Sequence, residues 1–185
     1  MTEALKNCLW KNFGAAIDML TNAIAMWPDD RWHTDKRFFY NAYHCAVFLD
    51  YYLTLPPIHF SSILPYTLKE PNEIPEEAMD DVVPDSIYSK AELLNYVETS
   101  REKCRILIAG LNEVTLVNPW LTQSPDENLD LASMDSRQCS VLEILFYNMR
   151  HVQHHAAQLN LLLRQTINKA PDYISMAQDE LYIQQ

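Results

Sequence analysis

Val141-Leu-Glu-Ile-Leu-Phe-Tyr-Asn-Met-Arg-His151-Val-Gln-His154-His155-Ala-Ala-Gln158-Leu-Asn-Leu-Leu-Leu163 is the stretch on which the fold turns. Leu142, Leu145, Met149, Val152, Ala156, Leu159 and Leu163 step by three and four over three heptads, the signature of a helix with one apolar side. No proline interrupts residues 126–170. The pattern therefore predicts a helix from near Asp135 or Ser136 to about Lys169, stopping before Pro171.

The same reasoning works outward along the chain. Windows 1–27, 29–55 and 85–118 also lack proline, and six of the ten prolines fall between Pro56 and Pro84. A helix from about Glu3 to Met26 carries Leu5, Leu9, Phe13, Ala16, Leu20 and Ala23 at helical spacing, with Trp27 at its end. A second, about Asp35 to Leu53, carries Phe38, Ala42, Cys45, Leu49 and Tyr52. A third opens on the capping box Ser89-x-x-Glu92 and runs through Leu93, Val97, Cys104, Leu107, Ile108 and Leu111 to about Val114. Four amphipathic helices with no strand-like alternation between them predict an all-α, four-helix bundle. The long, proline-rich 54–88 segment can run the length of a helix, so helices two and three need not be antiparallel neighbours. Residues 1–170 read as this single domain, residues 171–185 as a C-terminal tail, and the 115–134 connection as a segment lining one end.

Composition narrows the function. The two glycines, Gly14 and Gly110, stand apart in helical stretches, so neither a dinucleotide fingerprint nor a Walker loop is present. Fourteen Lys and Arg against 25 Asp and Glu give a net charge of −11, which disfavours direct nucleic-acid binding. No apolar run reaches the ~20 residues of a membrane span. The first ten residues lack a basic start followed by an apolar core, so the expected location is cytoplasmic. Cys8, Cys45, Cys104 and Cys139 form no C-x-x-C pair and read as buried, reduced thiols. Trp10, Trp27, Trp32 and Trp120 are candidates for core packing or for surface anchors in a pair of chains.

Of six histidines, three crowd into one turn. At about 100° per residue, His151 and His155 lie about 40° apart on one face, beside the apolar stripe, whereas His154 falls about 160° from Val152 and faces outward. An i, i+4 pair of imidazoles can hold one metal ion, given a further ligand. His44 is the histidine near the middle of another helix; His33 and His59 fall in loops at either end of it. Packed histidines with one hydrogen bond and no metal are the plain alternative. Asn148, Tyr40 and Tyr51 are candidate acceptors for the imidazole nitrogens that face away from an ion.

His151-Val-Gln-His154-His155-Ala-Ala-Gln158-Leu159 resembles the H-x-x-H-H-x-x-Q-L signature of the DinB/YfiT-like superfamily. Phe39-Tyr-Asn-Ala-Tyr-His44-Cys-Ala-Val-Phe-Leu-Asp-Tyr-Tyr52 resembles the family's second helix, with its lone histidine. The likeness runs over about residues 3–168. It implies a metal triad of His44, His151 and His155, with His154 excluded. Many relatives have Arg-Gly where this chain has Ala156-Ala157, so no role for that arginine carries over.

Three neutral imidazoles would leave an open coordination position, the layout of a catalytic site. Zinc, nickel, copper and iron all suit such a set, and zinc or nickel is the expected divalent ion. The resemblance implies a metal-dependent enzyme acting on a small-molecule substrate, possessing a site that activates a low-molecular-weight thiol, as in thiol S-transferases, or water, as in hydrolases. It also implies a homodimer. A non-enzymatic metal-binding or stress-associated interaction protein is the alternative, and no catalytic side chain is assigned.

Overall fold

Helices occupy the proline-free windows. In the computed structural model, which describes residues 3–121 and 139–182, α1 spans Glu3–Met26, α2 Lys36–Tyr52, α3 Lys90–Gly110, α4 Glu113–Val117 and α5 Val141–Ile167. The Ser89–Glu92 box forms as expected: the serine hydroxyl accepts from Glu92 N while the Glu92 carboxylate accepts from Ser89 N. α5 starts with a second box, Ser140–Glu143, that sequence reading missed. The expected start at Asp135 or Ser136 lies outside the described residues, as does most of the 115–134 connection. α5 ends at Asn168, whose left-handed backbone (φ 55°) is one that asparagine tolerates better than most residues.

The third helix is shorter than expected. It stops at Gly110 rather than Val114 because Asn112 takes an extended conformation and its side chain accepts from Val114 N and Thr115 N. That cap starts α4 instead of letting α3 continue.

α1 packs against α3 and α5, and α2 packs against the same two, so α1 and α2 stand at opposite corners of the bundle. Side-chain contacts fix the directions. Trp32 Nε1, just before α2, donates to Tyr88 O, just before α3, at 2.7 Å. Lys103, late in α3, reaches Asp50 O and Thr54 Oγ1 at the end of α2. α2 and α3 therefore run parallel, and the intervening chain must return along the full length of α2, about 25 Å at helical rise. That is the crossover anticipated from the proline map.

Within the crossover is an element the sequence did not reveal. β1 (Tyr66–Leu68) and β2 (Val82–Pro84) pair antiparallel, with Thr67 opposite Val83. Three-residue strands are too short to show alternation. The hairpin is fastened to the bundle by phenols: Tyr43 donates to Leu64 O at 2.7 Å, and Tyr88 donates to Pro65 O at 2.7 Å. This fastening brings the segment before β2, including Asp80, over α2.

All four tryptophans are buried, with Trp27 stacked on Phe38 at 4.0 Å between centroids. They serve the core and are not surface anchors. Cys45 and Cys104 are buried, and burial pushes both thiols up; Cys8, however, is exposed, and Cys139 is half-buried. Residues 171–182 lie along α1 and α3 as a strap. Ala177 N donates to Lys11 O at 2.9 Å, and Trp10 Nε1 donates to Asp179 O at 3.2 Å. Gly14 makes room for it, since a Cβ there would sit 2.8 Å from Ala177 Cβ. Among the described residues no helix is long and apolar enough to cross a membrane.

Candidate metal centre

Two antiparallel rows of side chains face each other where α2 meets α5. At spacings of three and four, α2 presents Asn41, His44, Phe48 and Tyr52, and α5 presents Tyr147, His151, His155 and Gln158. The antiparallel packing sets Asn41 against Gln158, the histidines against one another, and Tyr52 against Tyr147.

The three histidines converge on their Nε2 atoms. His44 Nε2 and His155 Nε2 each lie 3.1 Å from His151 Nε2, and the candidate ligand atoms of all three residues fall within 4.8 Å of one another. Two nitrogens bound tetrahedrally to one zinc ion at ~2.0–2.1 Å stand about 3.3–3.4 Å apart, so the spacing fits a shared ion. The site is largely shielded: His155 is buried, and His44 and His151 are half-buried.

Electrostatics keep the His151 and His155 rings neutral. Burial lowers His151 to about 2, helped by the neighbouring imidazoles of His155 and His44. Burial likewise lowers His155 to about 3, with His44 and His154 adding to it. Proton binding would place a charge in a desolvated spot beside other rings, so each keeps a lone pair available at neutral pH.

Two acceptors back the rings. Asn41 Oδ1 lies 3.1 Å from His155 Nδ1, while Asn41 Nδ2 donates to Gln158 Oε1 at 2.9 Å. Asp80, brought in by the crossover, sets a carboxylate oxygen 2.9 Å from His44 Nδ1. An acceptor beside Nδ1 favours the proton there and leaves Nε2 as the ligand atom, as in many metal-bound histidines.

The expected acceptors do not play this part. Asn148 Nδ2 donates to Leu49 O at 3.0 Å, Tyr40 packs its ring against Phe39, and Tyr51 packs against Phe60 and Trp120. Asn41 was legible in principle, as a polar residue three positions before His44 on a predominantly apolar helix. Asp80 carried no local signal, because only the crossover brings it near α2. Of the remaining histidines, His33 and His59 are exposed away from the cluster. His154 is exposed and touches the cluster only through its ring, 5.1 Å from that of His155.

Aromatic rings wall one end of the site. The Phe48 ring lies 4.6 Å from His44 and 5.8 Å from His151 between centroids. Tyr147 stacks parallel to His151 at 6.4 Å, with Tyr52 between it and Phe48. Burial, with Tyr147 beside it, pushes the Tyr52 phenol up, so it stays protonated.

No curated protein and no solved structure gives a significant match to the chain. Residues 87–172 match the model of the DinB family, a span that takes in α3, α4 and α5 with His151 and His155 but not His44. That match covers just under half of the chain and, on an all-helical bundle, supports membership of the DinB-like superfamily.

Proposed function

We propose that the protein is a metal-dependent enzyme in which His44, His151 and His155 hold a divalent ion, zinc or nickel, for the activation of a thiol or a water molecule. One observation carries this reading: three Nε2 atoms converge on one place, and two of the rings have a side-chain oxygen beside Nδ1, at 3.1 Å for His155 and 2.9 Å for His44. A divalent ion held by three neutral imidazoles supplies a Lewis acid with an open position, able to favour the anion of a bound thiol or water near neutral pH.

The remaining work falls to this chain's own side chains. Asn41 and Asp80 hold the rings in register. Phe48, Tyr52 and Tyr147 exclude water from one end and offer apolar faces to a substrate. Tyr52, kept neutral, remains a hydrogen-bond donor rather than a base. A low-molecular-weight thiol as co-substrate is in keeping with the family, and sulfur is a ligand that zinc and nickel both accept.

Elemental analysis of the purified protein tests the proposal. About one zinc or nickel per chain is expected, falling to background in His151→Ala, and a metal-free wild type sinks the idea. Conjugation of small thiols to electrophiles should then appear and vanish with a chelator. Stoichiometric metal without turnover of thiol or water-dependent substrates would instead favour a metal-binding or stress-associated interaction protein.

A further inference from the structure

Gln158 stands beside His155, and it is also the far end of a two-step chain that reaches the same ring. Its Oε1 accepts from Asn41 Nδ2 at 2.9 Å, and Asn41 Oδ1 faces His155 Nδ1 at 3.1 Å. We propose that Gln158 is a positioning residue that sets the tautomer of His155 through the amide of Asn41. This rests on the metal reading of the triad.

An amide can present either end to a neighbour, and only its partners decide which. Asn41 is 5% exposed, so water cannot stand in for a missing partner. With the Gln158 carbonyl on one side, Nδ2 is committed there and Oδ1 must face His155. Nδ1 of His155 then carries the proton, and Nε2 presents a lone pair to the ion. Without that carbonyl the Asn41 amide is free to rotate by half a turn. Nδ2 would then face His155, Nδ1 would become the acceptor, and the proton would move to Nε2, where it blocks ligation. Gln158 thus acts on a bond two residues removed from it. The helical spacing makes this possible, because Gln158 lies three positions after His155 on the same face of α5.

The other two histidines lack this device. His44 Nδ1 has the Asp80 carboxylate 2.9 Å away but makes no hydrogen bond to it, and His151 Nδ1 likewise has no hydrogen-bond partner among the described residues. His155 is also the most buried of the three, so its tautomer is the one least open to correction by water.

Zinc affinity, measured on the full chain by competition with a chromophoric chelator, tests the chain of contacts. Replacement of a residue behind a metal ligand costs about 10–100-fold in affinity. Gln158→Leu, which keeps bulk but removes the acceptor, is expected to lose affinity in that range. Gln158→Glu keeps an acceptor for Asn41 Nδ2 and should stay within about threefold of wild type. Asn41→Leu should also weaken binding, and the double variant should be no weaker than Asn41→Leu alone, because both changes break one path.

Wild-type affinity in Gln158→Leu would overturn the proposal while leaving the metal site intact. So would a tenfold loss in Gln158→Glu, or additive losses in the double variant, which would mean that Gln158 acts on His155 directly. If wild type binds no zinc, both this proposal and the metal reading fall. Thermal unfolding of each variant in chelator separates lost affinity from lost folding, and Gln158→Glu, half-buried and nearly isosteric, keeps the test decisive if Gln158→Leu fails to fold.

Discussion

The seam between α2 and α5 and the seam between α1 and α3 both bury polar side chains, and they dispose of charge in opposite ways. At the second seam Arg101 donates from Nε and Nη2 to Asp18 at 2.6 and 3.3 Å, and from Nη1 and Nη2 to Asp179 at 2.9 and 2.7 Å. Its guanidinium also lies 4.9 Å from the Trp10 ring centroid. The cluster is complete in itself: Asp18 and Asp179 raise the Arg101 pKa, and Arg101 holds the Asp179 carboxyl below its usual range. At the first seam three imidazole nitrogens converge, and burial keeps the rings of His151 and His155 neutral. A cluster that satisfies itself is a fastener. One that gathers imidazole nitrogens could hold a metal ion.

Metal addition should break this symmetry with the largest effect. Free zinc at a thousandfold above its Kd adds about 4 kcal/mol by mass action. For a chain of this size that is a rise of roughly 8–16 °C in Tm, read by thermal unfolding with zinc and with a chelator. A wild-type Tm indifferent to zinc would make the α2–α5 seam a second fastener. In the metal-free protein, pH draws the same line. His151 and His155 stay neutral when folded down to about pH 2 and 3, while their unfolded counterparts take up protons below 6.5. Stability is therefore full above pH 6.5 and falls as pH drops towards 3. Asp179 has the same sign in a lower window: its contribution is present above 3.8 and is lost as pH falls through its depressed native value. Loss between pH 6.5 and 4.5 thus reports the histidines, and His151→Gln should flatten it while Arg101→Ala leaves it unchanged.

Arg101→Ala comes next in size. It strands the Asp18 and Asp179 carboxylates, but these are 25% and 44% exposed, so water relieves part of the cost. The expected loss is about 2 kcal/mol, below that of a fully buried pair and above that of a surface pair. It should be the same with and without zinc, and zinc affinity should not move. A variant that unfolds normally but binds zinc tenfold more weakly would show the two seams to be coupled.

The part of this comparison that could be read from sequence is the part written in local periodicity. Proline-free windows and steps of three and four gave four helices, and the i, i+4 spacing put His151 and His155 on one face with His154 turned away. The position of His44 opposite them came from the superfamily resemblance. What escaped depends on tertiary placement. Asp80 reaches His44 only because parallel α2 and α3 oblige the crossover to run back over the bundle. The C-terminal strap showed no periodic pattern, so Ala177 and Asp179 looked like tail. Asn112 was passed over because the proline-free, apolar pattern continues through it to Val114, whereas its cap depends on an extended backbone that periodicity does not show, and the Ser140–Glu143 box went unnoticed beside a longer proline-free window.

Gly14→Ala probes the fastener at its finest grain, and two effects of similar size oppose each other. Alanine in a helix interior is favoured over glycine by about 1 kcal/mol. Against that, the new Cβ would lie 2.8 Å from Ala177 Cβ, a contact that neither atom can relieve by rotating a side chain. The strap must move instead, and its hydrogen bond from Ala177 N to Lys11 O at 2.9 Å and the Asp179 contacts to Arg101 oppose the shift. Overpacking of this kind costs about 1–3 kcal/mol. The clash therefore outweighs the propensity gain, and Gly14→Ala should lower Tm by a few degrees and speed protease cleavage after Asn168. Ala177→Gly in the same chain removes the opposing Cβ and should return both quantities to near wild type, leaving the helix with its gain. If Gly14→Ala instead raises Tm without exposing the strap, the strap yields at no cost, and the α1–α3 seam is held by its arginine alone.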